Sequence, residues 1–205
     1  MLHLEHDRST VADVDRESFQ PGGRAPAPPP LDLVQNFVNT EIAVWAVDDI
    51  ATPQALADWL RSRDLLGEAA VVDASSFVRA RALRRVLREL ASRNTHGVPP
   101  DDELRAEFAS IAAGALLRFQ LGERGDMRLE PDDEGANGAL AEILSRVFEA
   151  QASGAWRRLK SCPGAHCGWL FYDGSRNAYS RWCSMSICGN RTKTAAYRQR
   201  RRSGP

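Results

Sequence analysis

Apolar residues recur at helical spacing through most of this chain. In LDLVQNFVNT, Leu31, Val34, Phe37 and Val38 fall three and four apart, which predicts a short helix, with an extended stretch after it around Ile42 to Val47. Thr52 can cap a second helix and Pro53 suits its first position; Leu56, Trp59 and Leu60 give it an apolar face, and Gly67 closes the unit. Residues 75 to 93 predict a long helix, with Phe77, Ala80, Leu83, Val86, Leu87 and Leu90 on one stripe. Arg79, Arg81, Arg84, Arg85 and Arg88 lie largely off that stripe and read as a solvated face. Asp101 and Asp102 open another helix, with Leu104, Phe108, Ile111 and Ala112 inward. LLRFQLGERGDMRLEP then predicts a β-hairpin, its turn between Gly122 and Asp126. The last long helix is expected from Asn137 to Lys160, bent or broken at Gly154.

The first thirty residues break this pattern. PGGRAPAPPP excludes a helix or a central strand and reads as an extended arm. The fold class expected is α+β: a mainly helical N-terminal domain over 19–155 with a few short strands, a disordered arm over 1–18, and a distinct unit over 156–205.

Charge separates that last unit from the rest. The 205 residues carry 27 Lys and Arg against 27 Asp and Glu, a net charge of zero. From Ala155 onward there are eleven cations and one acid, Asp173; the part before has sixteen cations against twenty-six acids. A basic end on an acidic body points to a polyanion partner, the plain alternative being a solvated tail. No apolar run reaches the ~18–20 residues of a membrane span, and the start lacks a secretory apolar region, so the expected location is cytoplasmic, with no membrane partner. HExxH, GxSxG and P-loop patterns do not occur; the expectation is a protein that is not an enzyme.

All four cysteines lie in the basic unit, as Cys162-x4-Cys167, fifteen residues, then Cys183-x4-Cys188. Two pairs around a hairpin-length segment form a structural zinc pattern, since four thiolates fill a tetrahedral ion and leave no open position. Cytosolic disulfides and an iron–sulfur cluster are weaker readings, and His166 adjoins Cys167 too closely to share its ion. Pro163-Gly164 permits the reversal, and Gly168 the positive φ, that a thiolate knuckle needs. GWLFY and AYSRWC read as aromatic strands joined at Asp173-Gly174, before a helix-forming TKTAAYRQRRR. Loop, hairpin and helix make a treble-clef-like, four-cysteine zinc finger with one structural Zn2+, which a unit of this size needs in order to fold.

Trp182-Cys183-Ser184-Met185 followed by Cys188-Gly189-Asn190-Arg191 resembles the CGNR zinc finger, and CPGAHCGWLFYDGSRN is similar to that family's first knuckle. Upstream, PGGRAPAPPPLDLVQNFVNT and DDIATPQALADWL resemble the ABATE domain that accompanies this finger in bacterial proteins assigned to stress-induced transcription regulation. The resemblance implies a DNA-binding finger joined to a domain that senses a ligand or signal.

The residues expected at DNA come from the basic helix. Arg191, Arg198 and Arg202 fall on one stripe, with Lys193 and Arg200 extending it to the side and Arg201 in the terminal cluster. Arg176 and Asn177 are expected at the hairpin tip; Arg181, with Arg191, is also placed to balance the charge of a tetrathiolate centre. A small-molecule site is expected at Asn36, Asn39 and Trp45, the competing role being capping or core hydrogen bonds. The alternative functions are a zinc-stabilised protein-interaction module, or RNA binding with Trp169, Phe171, Tyr172 and Tyr179 as stacking surfaces. A homodimer is a candidate assembly.

Overall fold

Among the residues described by the computed structural model, 19–202, six helices alternate with three antiparallel strand pairs; the arm expected over 1–18 lies outside them. The order is α1 (Leu31–Val38), β1 (Glu41–Ile42), β2 (Val47–Asp48), α2 (Pro53–Arg61), α3 (Ala74–His96), α4 (Asp102–Ala112), β3 (Leu117–Leu121), β4 (Met127–Pro131), α5 (Ala136–Ala152), β5 (Leu159–Ser161), β6 (Leu170–Tyr172) and α6 (Asn190–Arg202). This is an α+β fold.

Helix starts coincide with their caps. Thr52 Oγ1 accepts from the Ala55 N–H at 3.1 Å, Asp73 Oδ1 from Ser76 at 2.8 Å, and Asp101 Oδ1 from Leu104 at 3.0 Å. Each satisfies a backbone donor that the first helical turn leaves without a partner. The core forms where α3 lays Ala80, Leu83, Val86, Leu87 and Ala91 against Leu31, Val34 and Phe37 of α1 and Leu140, Ile143 and Val147 of α5. Leu159 and Leu170 enter the same cluster, both fully buried. Each contributes about 1.5–3 kcal/mol of hydrophobic stabilisation, which fastens β5 and β6 to the helical body.

The arginine face of α3 is not solvated as expected. Arg84 is 2% exposed and grips Asp48 through both carboxylate oxygens, at 2.6 and 2.9 Å. Arg88 donates to Glu41 Oε2 at 2.6 Å and to the carbonyls of Val38 and Glu41. Glu41 and Asp48 are cross-strand partners in β1–β2, so that small hairpin is clamped onto α3 by two guanidinium forks. Partners lying 36 to 47 residues away are invisible to helical periodicity. The extended stretch expected at Ile42 to Val47 is this hairpin, its tip a short 3-10 turn.

The last body helix also differs. It ends at Ala152, and Gly154 adopts a left-handed φ of 76°, a conformation that stops a helix. Leu159 and Lys160 therefore belong to β5, not to a helix running onward.

β3 and β4 pair as expected, Phe119 opposite Leu129 and Leu121 opposite Met127. Opposed residues share a face, so Leu117, Phe119, Leu121, Met127, Leu129 and Pro131 form one side and Arg118, Gln120, Arg128 and Glu130 the other. The hairpin base rests near α5, while its outer half stands in solvent.

Candidate metal centre

Cys162 and Cys167 come from the loop joining β5 to β6. The Cys162 N–H donates to the Trp169 carbonyl at 2.9 Å and the Cys167 N–H to the Gly164 carbonyl at 2.8 Å, closing a tight knuckle. Gly168, as expected, has φ of 60°. A Cβ on Gly164 would sit 3.2 Å from Cys188 Sγ and 3.3 Å from Cys167 Cβ, so glycine there keeps the cage open. Cys183 and Cys188 flank a π-helical turn, Met185–Gly189, whose Ser184 side chain accepts from Ile187. Thr192 Oγ1 then donates to the Cys188 carbonyl at 2.9 Å, joining the turn to α6.

The four Sγ atoms lie within 4.8 Å of one another, with Cys167–Cys183 and Cys183–Cys188 both at 3.7 Å. A disulfide would need about 2.05 Å. A tetrahedron with Zn–S of about 2.3 Å has edges of about 3.8 Å, which these spacings match. Three of the cysteines are buried, and without a cation the four sulfurs cannot all ionise. Hydrogen bonds from the Cys167 and Cys183 thiols draw Cys162 down to about 2, and those same bonds push Cys167 up to about 12 and Cys183 upward too. Burial, then the Cys162 charge, raises Cys188. One thiolate solvated by three thiols is what the metal-free cage permits; a divalent cation is what allows four. The donor set fits one structural zinc ion held by Cys162, Cys167, Cys183 and Cys188. His166 is exposed beside it.

Residues 31–156 match the ABATE family, described as “Putative stress-induced transcription regulator”, and residues 158–201 match the CGNR zinc finger. The chain belongs to the ABATE family. No curated protein matches it at a significant level.

The CGNR finger is knit to the ABATE domain through polar residues. Asn39 donates to the Leu170 carbonyl at 2.9 Å and accepts the Leu170 N–H at 2.8 Å; Gln35 donates to the same carbonyl at 3.0 Å. Arg24 donates to the carbonyls of Cys183 and Trp182, at 2.8 and 3.0 Å, with its guanidinium 4.8 Å from the centre of the Phe171 ring. Trp45 and Phe19 meet Trp169 at ring separations of 6.0 and 5.8 Å. Asn39 and Trp45, expected at a small-molecule site, are thus occupied in this joint. Asn36 is half-buried on α1, and two clefts of the surface, around Asn94 and Trp156 and around Asp32 and Arg63, include none of the three.

The strand pairing inside the finger differs from expectation. β6 pairs with β5, Leu159 opposite Tyr172, and not with AYSRWC. Asp173 explains this. It is fully buried and accepts from the Ser175 N–H and Oγ and from the Ser180 N–H, folding residues 173–180 into a loop. Lys160 Nζ reaches Asp173 Oδ2 at 2.8 Å and caps the Ala178 and Ser180 carbonyls. Arg176, Asn177 and Arg181 are exposed on and beside this loop, not at a hairpin tip.

Arg191, Lys193, Arg198, Arg200, Arg201 and Arg202 all lie on α6, which buries no residue. At 100° per residue Arg191, Arg198 and Arg202 share a stripe, as expected, but Lys193 and Arg200 fall on the far side of the helix, so the charge encircles it. Trp169 and Phe171 are 4% and 0% exposed, which makes them core and not stacking platforms; Tyr179 is open to solvent. The residues that sequence reasoning missed are Arg24, Gln35, Lys160 and Asp173. Only Asp173-Gly174-Ser175 carried a local signal, since Asp accepting from two residues on is a turn signature.

Proposed function

We propose that this protein is a cytoplasmic transcription regulator whose CGNR finger binds duplex DNA through α6, and whose ABATE domain receives the controlling signal. The observation that carries the reading is the state of α6. It has thirteen residues, six of them cationic, and not one is buried. A helix of that length is marginal in water without packing, and one or two cations satisfy its C-terminal dipole. Phosphates supply the counter-charge that Arg198, Arg200, Arg201 and Arg202 otherwise lack. Arg176 and Arg181, on and beside a loop pinned by Lys160, add contacts next to the helix. The zinc fixes where α6 begins; with four thiolates it has no position for a substrate, and the reading includes no catalytic step. The joint at Asn39, Gln35 and Arg24 gives the ABATE domain a rigid grip on the finger, the route for any signal.

The test is binding of mixed genomic duplex fragments across a salt series, with the zinc-loaded protein and a variant carrying Arg198, Arg200, Arg201 and Arg202 as Ala. About five phosphate contacts give a slope of log K on log salt near −4 to −5, falling by about 0.9 for each contact removed. Absent binding at low salt, or an unchanged slope in the variant, overturns the reading. Preferential competition by single-stranded RNA would move it to RNA.

A further inference from the structure

The β3–β4 hairpin carries an apolar face with nothing on it. Phe119 is 78%, Leu121 72% and Met127 75% exposed, and all three project to the same side. Leu117, Leu129 and Pro131, half-buried, continue that side toward the body. Alternation this strict, six apolar positions against four polar ones, is the pattern of a strand pair with one buried face. Here the burying layer is missing from the chain's own described residues.

We propose that this face is a self-association surface, and that a second copy of the chain covers it. Area and charge favour a second copy over another partner. Large side chains present about 150–250 Å² each, so the three outer residues with the edges of the inner three expose on the order of 500 Å². A two-fold pairing uses one patch twice and reaches on the order of 1,000 Å² in total, the lower bound for a specific interface. The hairpin's charges already have partners within it: Arg118 lies 3.3 Å from Asp132 and Arg128 2.6 Å from Asp126. Three arginines face four acids over residues 116–132, so two copies neither repel strongly nor need an oppositely charged ligand. The polar face stays in water while the two apolar faces stack about 10 Å apart, as packed sheets do. The surface is remote in sequence from the finger and independent of whether α6 binds DNA.

The experiment is sedimentation velocity of the full, zinc-loaded chain over a concentration series, with Phe119→Glu, Met127→Lys and Gln120→Glu. The wild type and Gln120→Glu, whose change lies on the polar face, are expected to dimerise equally. Phe119→Glu and Met127→Lys are each expected to weaken the dimer by about a hundredfold, since each would bury an unpaired charge. Both positions are exposed in the monomer, so circular dichroism and zinc content should be unchanged; if one variant misfolds, the other carries the test. A monomeric wild type, a dimer indifferent to both charge insertions, or equal loss in Gln120→Glu overturns the proposal, as does a hairpin that binds only an unrelated protein.

Discussion

Lys160 Nζ and Asp173 Oδ2 meet at 2.8 Å with their side chains 6% and 0% exposed. The pair closes the loop that carries Arg176 and lies beside Arg181, and it removes Lys160 from the basic surface. Burying two charges is costly unless every polar atom is satisfied, and here both groups are: the ammonium donates three hydrogen bonds and the carboxylate accepts from Ser175 and Ser180 as well. Lys160→Met leaves a buried carboxylate without its cation and is expected to cost about 3–5 kcal/mol in urea unfolding of the zinc-loaded protein. A loss below about 1 kcal/mol would mean that the loop is held by other contacts.

Acid should unfold the body through Asp48. Burial alone would raise its carboxyl, but the hydrogen bonds and charge of Arg84 hold it below the usual value of 3.8. Burial pushes Asp173 up in the same way, and the Lys160 and serine contacts overcome that and depress it. A carboxylate whose folded value lies below its unfolded one contributes stability above about pH 4, and that stability is lost as pH falls through the folded value. Asp48→Asn should be less stable than the wild type at pH 7, and the difference should shrink below pH 4; a constant difference would dissociate Asp48 from the acid limb.

Asn39 distinguishes a joint from a ligand site. Its substitution by Leu leaves the buried Leu170 N–H without an acceptor, at a cost of about 1–3 kcal/mol. Thermal unfolding without any added small molecule should show this. An unaltered midpoint would return Asn39 to the role of ligand contact.

Removing zinc should act on one of two clusters. Cys162, Cys183 and Cys188 pack with Ile42, Trp169 and Phe171, while the α1–α3–α5 core has its own apolar contacts. Chelation is expected to expose Trp169 and Trp182 to quenchers and to abolish the helical signal of α6, leaving a folded α3 core. A single cooperative collapse of both clusters would show that the zinc-side strands support the body as much as the body supports them.

The helices are legible in the sequence because each one advertises both its cap and its stripe: Thr52 with Pro53, Asp101 before Leu104, Ala80 to Leu87 along α3. The zinc cage is legible because spacing alone restricts which cysteines meet. The hidden features depend on distant partners. Arg84 looks solvated until Asp48 arrives from another element, and Asn39 looks available until Leu170 is placed against it. Lys160 sits in a helical pattern that Gly154 ends six residues earlier, so its burial depends on a boundary that periodicity places poorly. The 173–180 loop reads as half a hairpin because Asp-Gly signals a turn without specifying the conformation of the segment after it.

Arg24 precedes the family match, which begins at residue 31, yet its guanidinium ties down the peptide bonds around Cys183. A shortened protein starting at that boundary would keep every cysteine and both recognisable domains. It would nonetheless lose the strap across the second knuckle and strip Phe19 from the indole of Trp169. Metal retention in such a truncation would then report on the leader segment, not on the sulfurs.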